Sequence, residues 1–428
     1  MIDRKVKRIT VKLKFLGGCN EIGRIAIAVK KDDTQILLDY GVLFNDQPGF
    51  PMHIPPRDVD AIFLTHAHLD HSGGIPLFHI TSSVPVYGTK LTFELSELLI
   101  ADFIKLSGYY LPFEYLDLRS MMKSCVFMEF DKPVTVKDMK VTLLDSGHIP
   151  GGSQVLIETD KKRILYTGDF NTIDTELLKG ADTDYGELDC LIIESTYANE
   201  DHPERRSLEK TFVESVEEVV EDGGTVLIPA FSVGRAQEIA CVLRTYNFKY
   251  PVYMDGMARK VNLIFLNNLS GLRDPMLFKD TMHMVREVGG WKDRREAMRK
   301  PGVIITPAGM LKGGPAAYYV QHIGKKKNNA VFLVGFQVPG TPGRELLDKG
   351  RCVIDGKVRK VKARVEKFDF SSHCGAKELK ETVKSVEGNP KVLVIHGADT
   401  NCVDFAEWIK NEVGLDAEAP ETGDIVSI

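Results

Sequence analysis

No apolar run in this chain approaches the roughly 20 residues that a membrane span requires. The longest, such as residues 61–64 and 392–395, are the size of one strand, which argues for a protein with no place in a membrane. The first fourteen residues carry lysines among Val6, Ile9, Val11 and Leu13. They lack the apolar core and small-residue cleavage site of a secretory leader, and read instead as a first strand, half exposed at a sheet edge. Cysteine is sparse: seven residues, an odd number, with no CxxC pair. That speaks against a disulfide framework and against a thiolate zinc knuckle, and points to the reducing cytoplasm. Also missing is any excess of positive charge, the net being −5. A field of that sign does not draw in a polyanion. Nucleic acid would be held by local basic patches or by metal ions. Internal repeats and low-complexity tracts are absent as well.

What is present is ordinary globular material. Apolar residues make up 43% and charged residues 27% of 428, enough for a large core and for two or three domains. The first part reads mostly as strands, at 9–16, 25–29, 35–39, 61–65, 140–145, 154–158, 163–167 and 188–194, with one helix at 91–106. The proline-rich stretch 48–56 is too broken for regular structure. After Tyr197 the rhythm changes. Residues 204–221 place Phe212, Val213, Val216, Val219 and Val220 along one side of a helix. Strands at 225–228, 302–306 and 330–335 then alternate with helices at 233–245 and 257–269, the pattern of a parallel sheet covered on its faces. Asp355-Gly356 predicts a hairpin between 352–354 and 357–367. A helix at 377–386, a strand at 391–396 and a helix at 400–411 finish the chain.

Histidine is also scarce, at eleven residues, yet three fall in His66-Ala-His68-Leu-Asp70-His71. This run follows an apolar strand directly, so a tight loop can bring three imidazoles and a carboxylate together. His66 and His68 can reach one metal ion, and Asp70 and His71 a second. Imidazole and carboxylate suit zinc, and two ions about 3.5–4 Å apart can activate a water near neutral pH. Asp39, His148, Asp169 and His396 also stand at or just beyond strand ends. Each alone is equally at home in a turn. Together they supply the rim that a metal site needs.

In order and context, His66 to His71 with Asp39, His148 and Asp169 resembles the metallo-β-lactamase superfamily. Later segments resemble its β-CASP nucleases: Glu194-Ser-Thr-Tyr197, Phe370-Ser-Ser-His373, Val394-Ile-His396-Gly397, and Pro229-Ala-Phe-Ser-Val-Gly-Arg-Ala-Gln-Glu238. The resemblance covers nearly the whole chain. It implies a four-layered αββα sandwich (1–197, completed by 371–428) interrupted by a β-CASP α/β domain (198–370), with the active site in the cleft between them. It further implies two zinc ions, one on His66, His68 and His148, the other on Asp70, His71 and His396, with Asp169 bridging. Asp39 would orient a ligand, and His373, held by Glu194, would donate a proton or bind the scissile phosphate. Ala198 and Cys374-Gly375 depart from the usual family pattern without removing a ligand.

A histidine at 396 is similar to the RNA-cleaving members. Phe370-Ser-Ser-His373 and Phe15-Leu-Gly-Gly-Cys-Asn-Glu-Ile-Gly-Arg24 are similar to the nuclease subunit of the cleavage and polyadenylation specificity factor, particularly its short archaeal forms, which lack a KH region before residue 1. The resemblance implies hydrolysis of single-stranded RNA, internally or from the 5′ end, in processing or decay, by a cytoplasmic protein that is a homodimer or part of a larger complex. A small-ester hydrolase and a non-catalytic scaffold are the other readings. An inserted domain is no use to the first, and intact ligands are no use to the second. For RNA contacts, Lys360, Lys362 and Arg364 alternate with Val361, Ala363 and Val365, giving one basic strand face. Ser232 and Arg235 sit where a helix N-terminus can hold a phosphate. Gly309 and Gly313-Gly314 would admit a backbone closely, or simply turn. Lys325-Lys326-Lys327 reads as a helix-terminal loop.

Overall fold

Strands that are apolar on both faces build the first layers. The computed structural model describes residues 10–43, 47–107, 110–354, 356–398 and 400–428. It divides the chain into two units: Met1–Ile173 with Gly180–Asp201 and His373–Ile428, and Asp174–Lys179 with His202–Ser372.

The first unit holds two seven-stranded sheets. In one, the strands Lys12–Gly17, Ala26–Lys31 and Thr34–Leu38 are antiparallel neighbours, and Ala61–Phe63, Val86–Gly88 and Cys125–Phe127 continue in parallel. In the other, Lys391–Ile395, Cys190–Glu194, Arg163–Tyr166, Ser153–Glu158, Met139–Asp145 and Val134–Val136 lie side by side, with Ala417–Glu418 at the edge. Leu13, Phe15, Ile27 and Leu38 of the first sheet share a core with Leu143, Ile157, Ile192 and Leu393 of the second. The alternate residues point outward. Ala28, Leu37 and Ile62 pack on Phe93, Ile100 and Phe103 of the helix Lys90–Ser107. Leu165, Leu191 and Val394 pack on Leu379 and Phe405, from the helices Ala376–Ser385 and Asn401–Trp408. The result is the four-layered αββα sandwich.

Two expectations need correction. The first strand is not at an edge: Ile425–Ser427 pairs antiparallel along Lys12–Lys14 and covers it. Lysines facing outward gave the appearance of an edge, while the neighbour comes from the far end of the chain. Residues 1–9 lie outside the described set. The stretch 357–367 is two strands, Lys357–Lys360 and Arg364–Lys367, in different sheets. Ile354 pairs with Lys357 as the hairpin requires, and Asp355 of its turn is outside the described residues.

The second unit is a six-stranded sheet, all of its neighbours parallel, in the order Val285–Val288, Val252–Asp255, Gly302–Thr306, Thr225–Pro229, Ala330–Leu333, Arg364–Lys367. Helices Arg205–Glu221 and Arg235–Thr245 bury one face, and Gly314–Ile323 and Pro342–Lys349 the other. Among the described residues no helix is long and apolar enough to cross a membrane.

His79, ending the 3-10 turn Ile75–His79, is buried with both ring nitrogens lacking a hydrogen-bond partner. Burial, opposed weakly by Asp117, lowers its pKa to about 4. The unfolded chain therefore takes up this proton first, near pH 6.5. Stability is full above that value and falls toward pH 4, by up to about 3 kcal/mol. Urea unfolding at pH 7 and pH 4.5 should show a smaller acid-side loss for His79→Phe than for the wild type. Equal losses would mean that this imidazole is not a source of acid sensitivity.

Candidate metal centre

Strand ends aim the side chains. Ala61–Phe63 runs out into Thr65 and His66, and the short helix Leu69–Ser72 then turns Asp70 and His71 back. Neighbouring backbone clamps this loop. Tyr40 N donates to His71 O and Val42 N to Leu69 O, both at 2.9 Å. Gly41 between them has no room for a side chain, since a Cβ there would lie 1.6 Å from Asp70 O. Asp39 and His396 both hold φ above +50° and are buried. Asp and His tolerate this left-handed region better than most residues, and such strain gathers at functional sites.

Three imidazoles and one carboxylate oxygen converge on one side. His66 Nε2 and His148 Nε2 lie 3.1 and 3.2 Å from His68 Nδ1, and 3.5 and 3.6 Å from Asp169 Oδ2. On the other side, Asp169 Oδ1 is 3.3 Å from His71 Nε2 and 3.1 Å from His396 Nδ1, and Asp70 Oδ2 is 3.6 Å from His396 Nε2. These seven residues form two groups whose ligand atoms lie within 4.8 Å of one another: His66, His68, His148 and Asp169, and Asp70, His71 and His396. A third such grouping, Asp169 with Glu194 and His396, is weaker. The Glu194 oxygens already accept from Phe170 N and Thr196 N and face His373 Nδ1 at 2.9 and 3.0 Å.

The donor set fits metal cations. His71 Nε2, Asp169 Oδ1 and His396 Nε2 are buried with no hydrogen-bond partner, a costly arrangement unless something else satisfies them. Charge tells the same story. Burial raises the Asp169 pKa, but His396, His71 and His373 outweigh it and hold the carboxylate well below its usual range. Burial lowers His396, yet Asp169 and Asp70 raise it to about 10. Burial also lowers His71, and Asp169 and Asp39 more than reverse this. The carboxylates thus demand positive charge, which protons or metal ions can supply. His66 and His68 go the other way: burial lowers both and outweighs the neighbouring carboxylates, which keeps each neutral with a lone pair free to ligate. The cluster is compatible with a dinuclear metal site.

Around it stand residues that orient the donors. Asp39 Oδ2 lies 2.8 Å from His71 Nδ1, so Nε2 is turned inward. The same carboxylate accepts from Thr65 N, Thr65 Oγ1 and Tyr166 Oη, and belongs to none of the metal-compatible groups. Thr65, Tyr166 and Thr196, whose Oγ1 is 3.2 Å from His396 Nδ1, escaped the sequence reading. Thr65 directly precedes His66, Tyr166 stands three residues before Asp169, and Thr196 lies within Glu194-Ser-Thr-Tyr197, which is the only signal they give. The His373 ring lies 4.5 Å from that of His148 between centroids, tilted by 58°. Burial lowers its pKa, but Glu194 and Asp169 raise it further.

The expected RNA contacts fare differently. Lys360 ends one strand, Lys362 lies in the connection, and Arg364 opens another. They share no strand face, so that basis for a basic stripe is removed. Arg364 is also neutralised, by Glu366 at 2.6 Å and Glu218 at 2.7 Å. Arg235 opens its helix but gives its guanidinium to Val334 O and Ser372 Oγ, while Ser232 lies in the turn before it.

Comparison with known proteins accounts for this arrangement. Residues 28–194 match a metallo-β-lactamase superfamily domain, 236–346 a β-CASP domain, and 358–420 a Zn-dependent metallo-hydrolase RNA specificity domain. The chain is 43% identical to the RNase aCSPSF2 of Saccharolobus solfataricus, over 99% of its own length and 86% of that protein. It is 37% identical to the probable RNase MJ4 of Methanocaldococcus jannaschii, over 98% of itself and all of that protein. Transcription termination factor FttA of the same organism is 32% identical and covered to 69%. A crystal structure of a protein of unknown function from Enterococcus faecalis V583 superposes with a TM-score of 0.64 at 16% identity, covering 98% of this chain and all of that one, which speaks to the fold alone. With two sheets facing each other, seven clustered side chains able to hold metal, and full-length relatives above 30% identity, the chain belongs to the β-CASP family of the metallo-β-lactamase superfamily.

Proposed function

We propose that this protein is a zinc-dependent ribonuclease that hydrolyses phosphodiester bonds of single-stranded RNA. The observation that carries this is Asp169, which presents Oδ2 to His66 and His148 and Oδ1 to His71 and His396. Within a β-CASP chain, one carboxylate between two imidazole sets fits a pair of zinc ions. One would be held by His66, His68 and His148, the other by Asp70, His71 and His396, with Asp169 shared. Two zinc ions there supply Lewis-acid stabilisation of phosphoryl charge and a water acidified toward neutral pH.

The chain's own residues do the rest. Asp39 fixes the His71 tautomer by holding Nδ1, and keeps that ring from swinging away. Glu194 accepts a hydrogen bond from Nδ1–H of His373, which leaves Nε2 to face the reacting centre, 4.0 Å from Asp169 Oδ2. A protonated His373 is placed to give its proton to the departing ribose oxygen. The RNase relatives support RNA as the substrate. We take 198–370 as the β-CASP domain and the remainder as the sandwich, and place the protein in the cytoplasm, consistent with seven free cysteines.

Purified protein should contain two zinc ions per chain and cleave RNA. With 5′-labelled and internally labelled RNA, release of mononucleotides defines attack from the 5′ end, and discrete fragments define internal cleavage. Chelator should stop both, and zinc should restore them. Cleavage that persists in metal-free protein would overturn the reading.

A further inference from the structure

One surface of the second unit carries aromatic and cationic side chains that the steps above do not use. Its anchor is Asp255, buried at the end of the strand Val252–Asp255. Asp255 accepts two hydrogen bonds from Arg294, at 2.7 and 3.2 Å, and one from Tyr319 Oη at 2.9 Å. The guanidinium so fixed lies over the ring of Trp291, 4.9 Å from its centroid. Trp291 is 59% exposed, yet it is pinned from below. Tyr318 meets it edge-on at 5.0 Å, and His322 lies 4.5 Å from Tyr318. Tyr318 and His322 are one turn apart on Gly314–Ile323, so the three rings form a row that runs from Trp291, on the helix Trp291–Ala297, onto that helix.

The row leads into cations. Three residues past His322 the chain enters Lys325-Lys326-Lys327, all exposed. Lys362 N donates to Gly324 O at 2.7 Å, which ties this loop to the end of the hairpin formed by Arg351–Ile354 and Lys357–Lys360. Cys352 and Val361 are buried in one core with Tyr319, Val320 and Ile323, fastening the hairpin to the same helix. Its outer face pairs Arg351 with Lys360 and Val353 with Val358, all exposed. Residues 325–328 and 351–362 together hold eight cationic side chains and a single acid, Asp355, in a chain whose net charge is −5. Among the described residues no ion pair engages Arg351, Lys357, Arg359 or Lys360.

We propose that the row Trp291, Tyr318, His322 and the adjoining lysine loop and hairpin form an accessory binding site for single-stranded RNA. Rings held rigid and half in water are stacking platforms for unpaired bases, and cations beside them track phosphates. Duplex nucleic acid offers no free base faces. The choice of RNA rests on the ribonuclease reading; the site itself does not.

The test is binding of an oligouridylate of about 20 nucleotides, long enough to cover such a row. It is followed by fluorescence anisotropy on the full chain in chelator, so that neither cleavage nor metal-held RNA contributes. Trp291→Ala should weaken binding about tenfold with the salt dependence unchanged, because stacking releases no counterions. Changing Lys326, Lys327, Lys357 and Arg359 each to Gln should lower the slope of log affinity against log salt by about 3. Should the fourfold variant fail to fold, the loop pair Lys326→Gln/Lys327→Gln, confined to exposed side chains, should lower it by about 1.4. Wild-type behaviour in either the aromatic or the cationic variant overturns the proposal. So does equal affinity for duplex DNA or phosphatidylserine vesicles. RNA cleavage by the wild type without chelator is scored separately, so failure of the ribonuclease reading is distinguishable from failure of this site.

Discussion

Asp169→Ala should lower RNA hydrolysis by about 10³-fold or more and reduce bound zinc below two per chain. Stabilisation of charge on a transferring phosphoryl group by metal is worth several kcal/mol, and each 1.36 kcal/mol is tenfold in rate. Asp169 faces four imidazoles, those of His66, His148, His71 and His396. No other carboxylate among the described residues does this. Asp70 is grouped only with His71 and His396 and is partly exposed, so its loss should unload one position and spare the other. The comparison that separates charge from shape is Asp169→Asn, which keeps the volume but loses the negative charge and one acceptor. It should behave like the alanine variant. Zinc content by mass spectrometry and cleavage of labelled RNA are the measurements. Two zinc ions and near wild-type cleavage in Asp169→Ala would remove the shared-carboxylate arrangement on which the proposed function stands.

How far this site could be read in advance follows from chain geometry. His66 to His71 was legible because a strand-end loop compresses its ligands into six residues. Asp39, His148, Asp169 and His396 were legible as strand-end residues but not as partners, since nothing local says that residues more than 350 apart converge. Thr65, Tyr166 and Thr196 act by one hydroxyl each, in residues common at strand ends, and left no periodic or compositional mark. In the fold, long alternating strands and the helix Arg205–Glu221 stood out. Val252–Asp255 and Val285–Val288 did not, being four residues long and buried mainly by neighbours distant in sequence. The covering strand Ile425–Ser427 is largely exposed, so its sequence carries little hydrophobic signal. The basic stripe at 360–364 misled because alternation persists across a break between two strands. Its lysines turned out to adjoin a loop nearly forty residues earlier and an aromatic row on two separate helices.

His373→Ala should cut RNA cleavage about 10²–10⁴-fold, the range of a positioned general acid, while leaving two zinc ions bound. His373 is not within the two metal-compatible groups, so metal content separates it from Asp169. Its Nδ1 is held by Glu194 at 2.9 and 3.0 Å, and Glu194 is in turn fixed by the backbone N–H groups of Phe170 and Thr196. Glu194→Gln should therefore act through His373. The amide would set an N–H against one of those backbone donors and remove the charge that favours protonated imidazole. A loss of about 10–100-fold is expected for such a supporting partner. The role of the proton is read from the leaving group. Bis(p-nitrophenyl) phosphate expels a phenolate that needs no proton, so His373→Ala and Glu194→Gln should recover most of their deficit on it. If His373 only gripped the scissile phosphate, both substrates would suffer alike, and its assignment as proton donor would have to be given up.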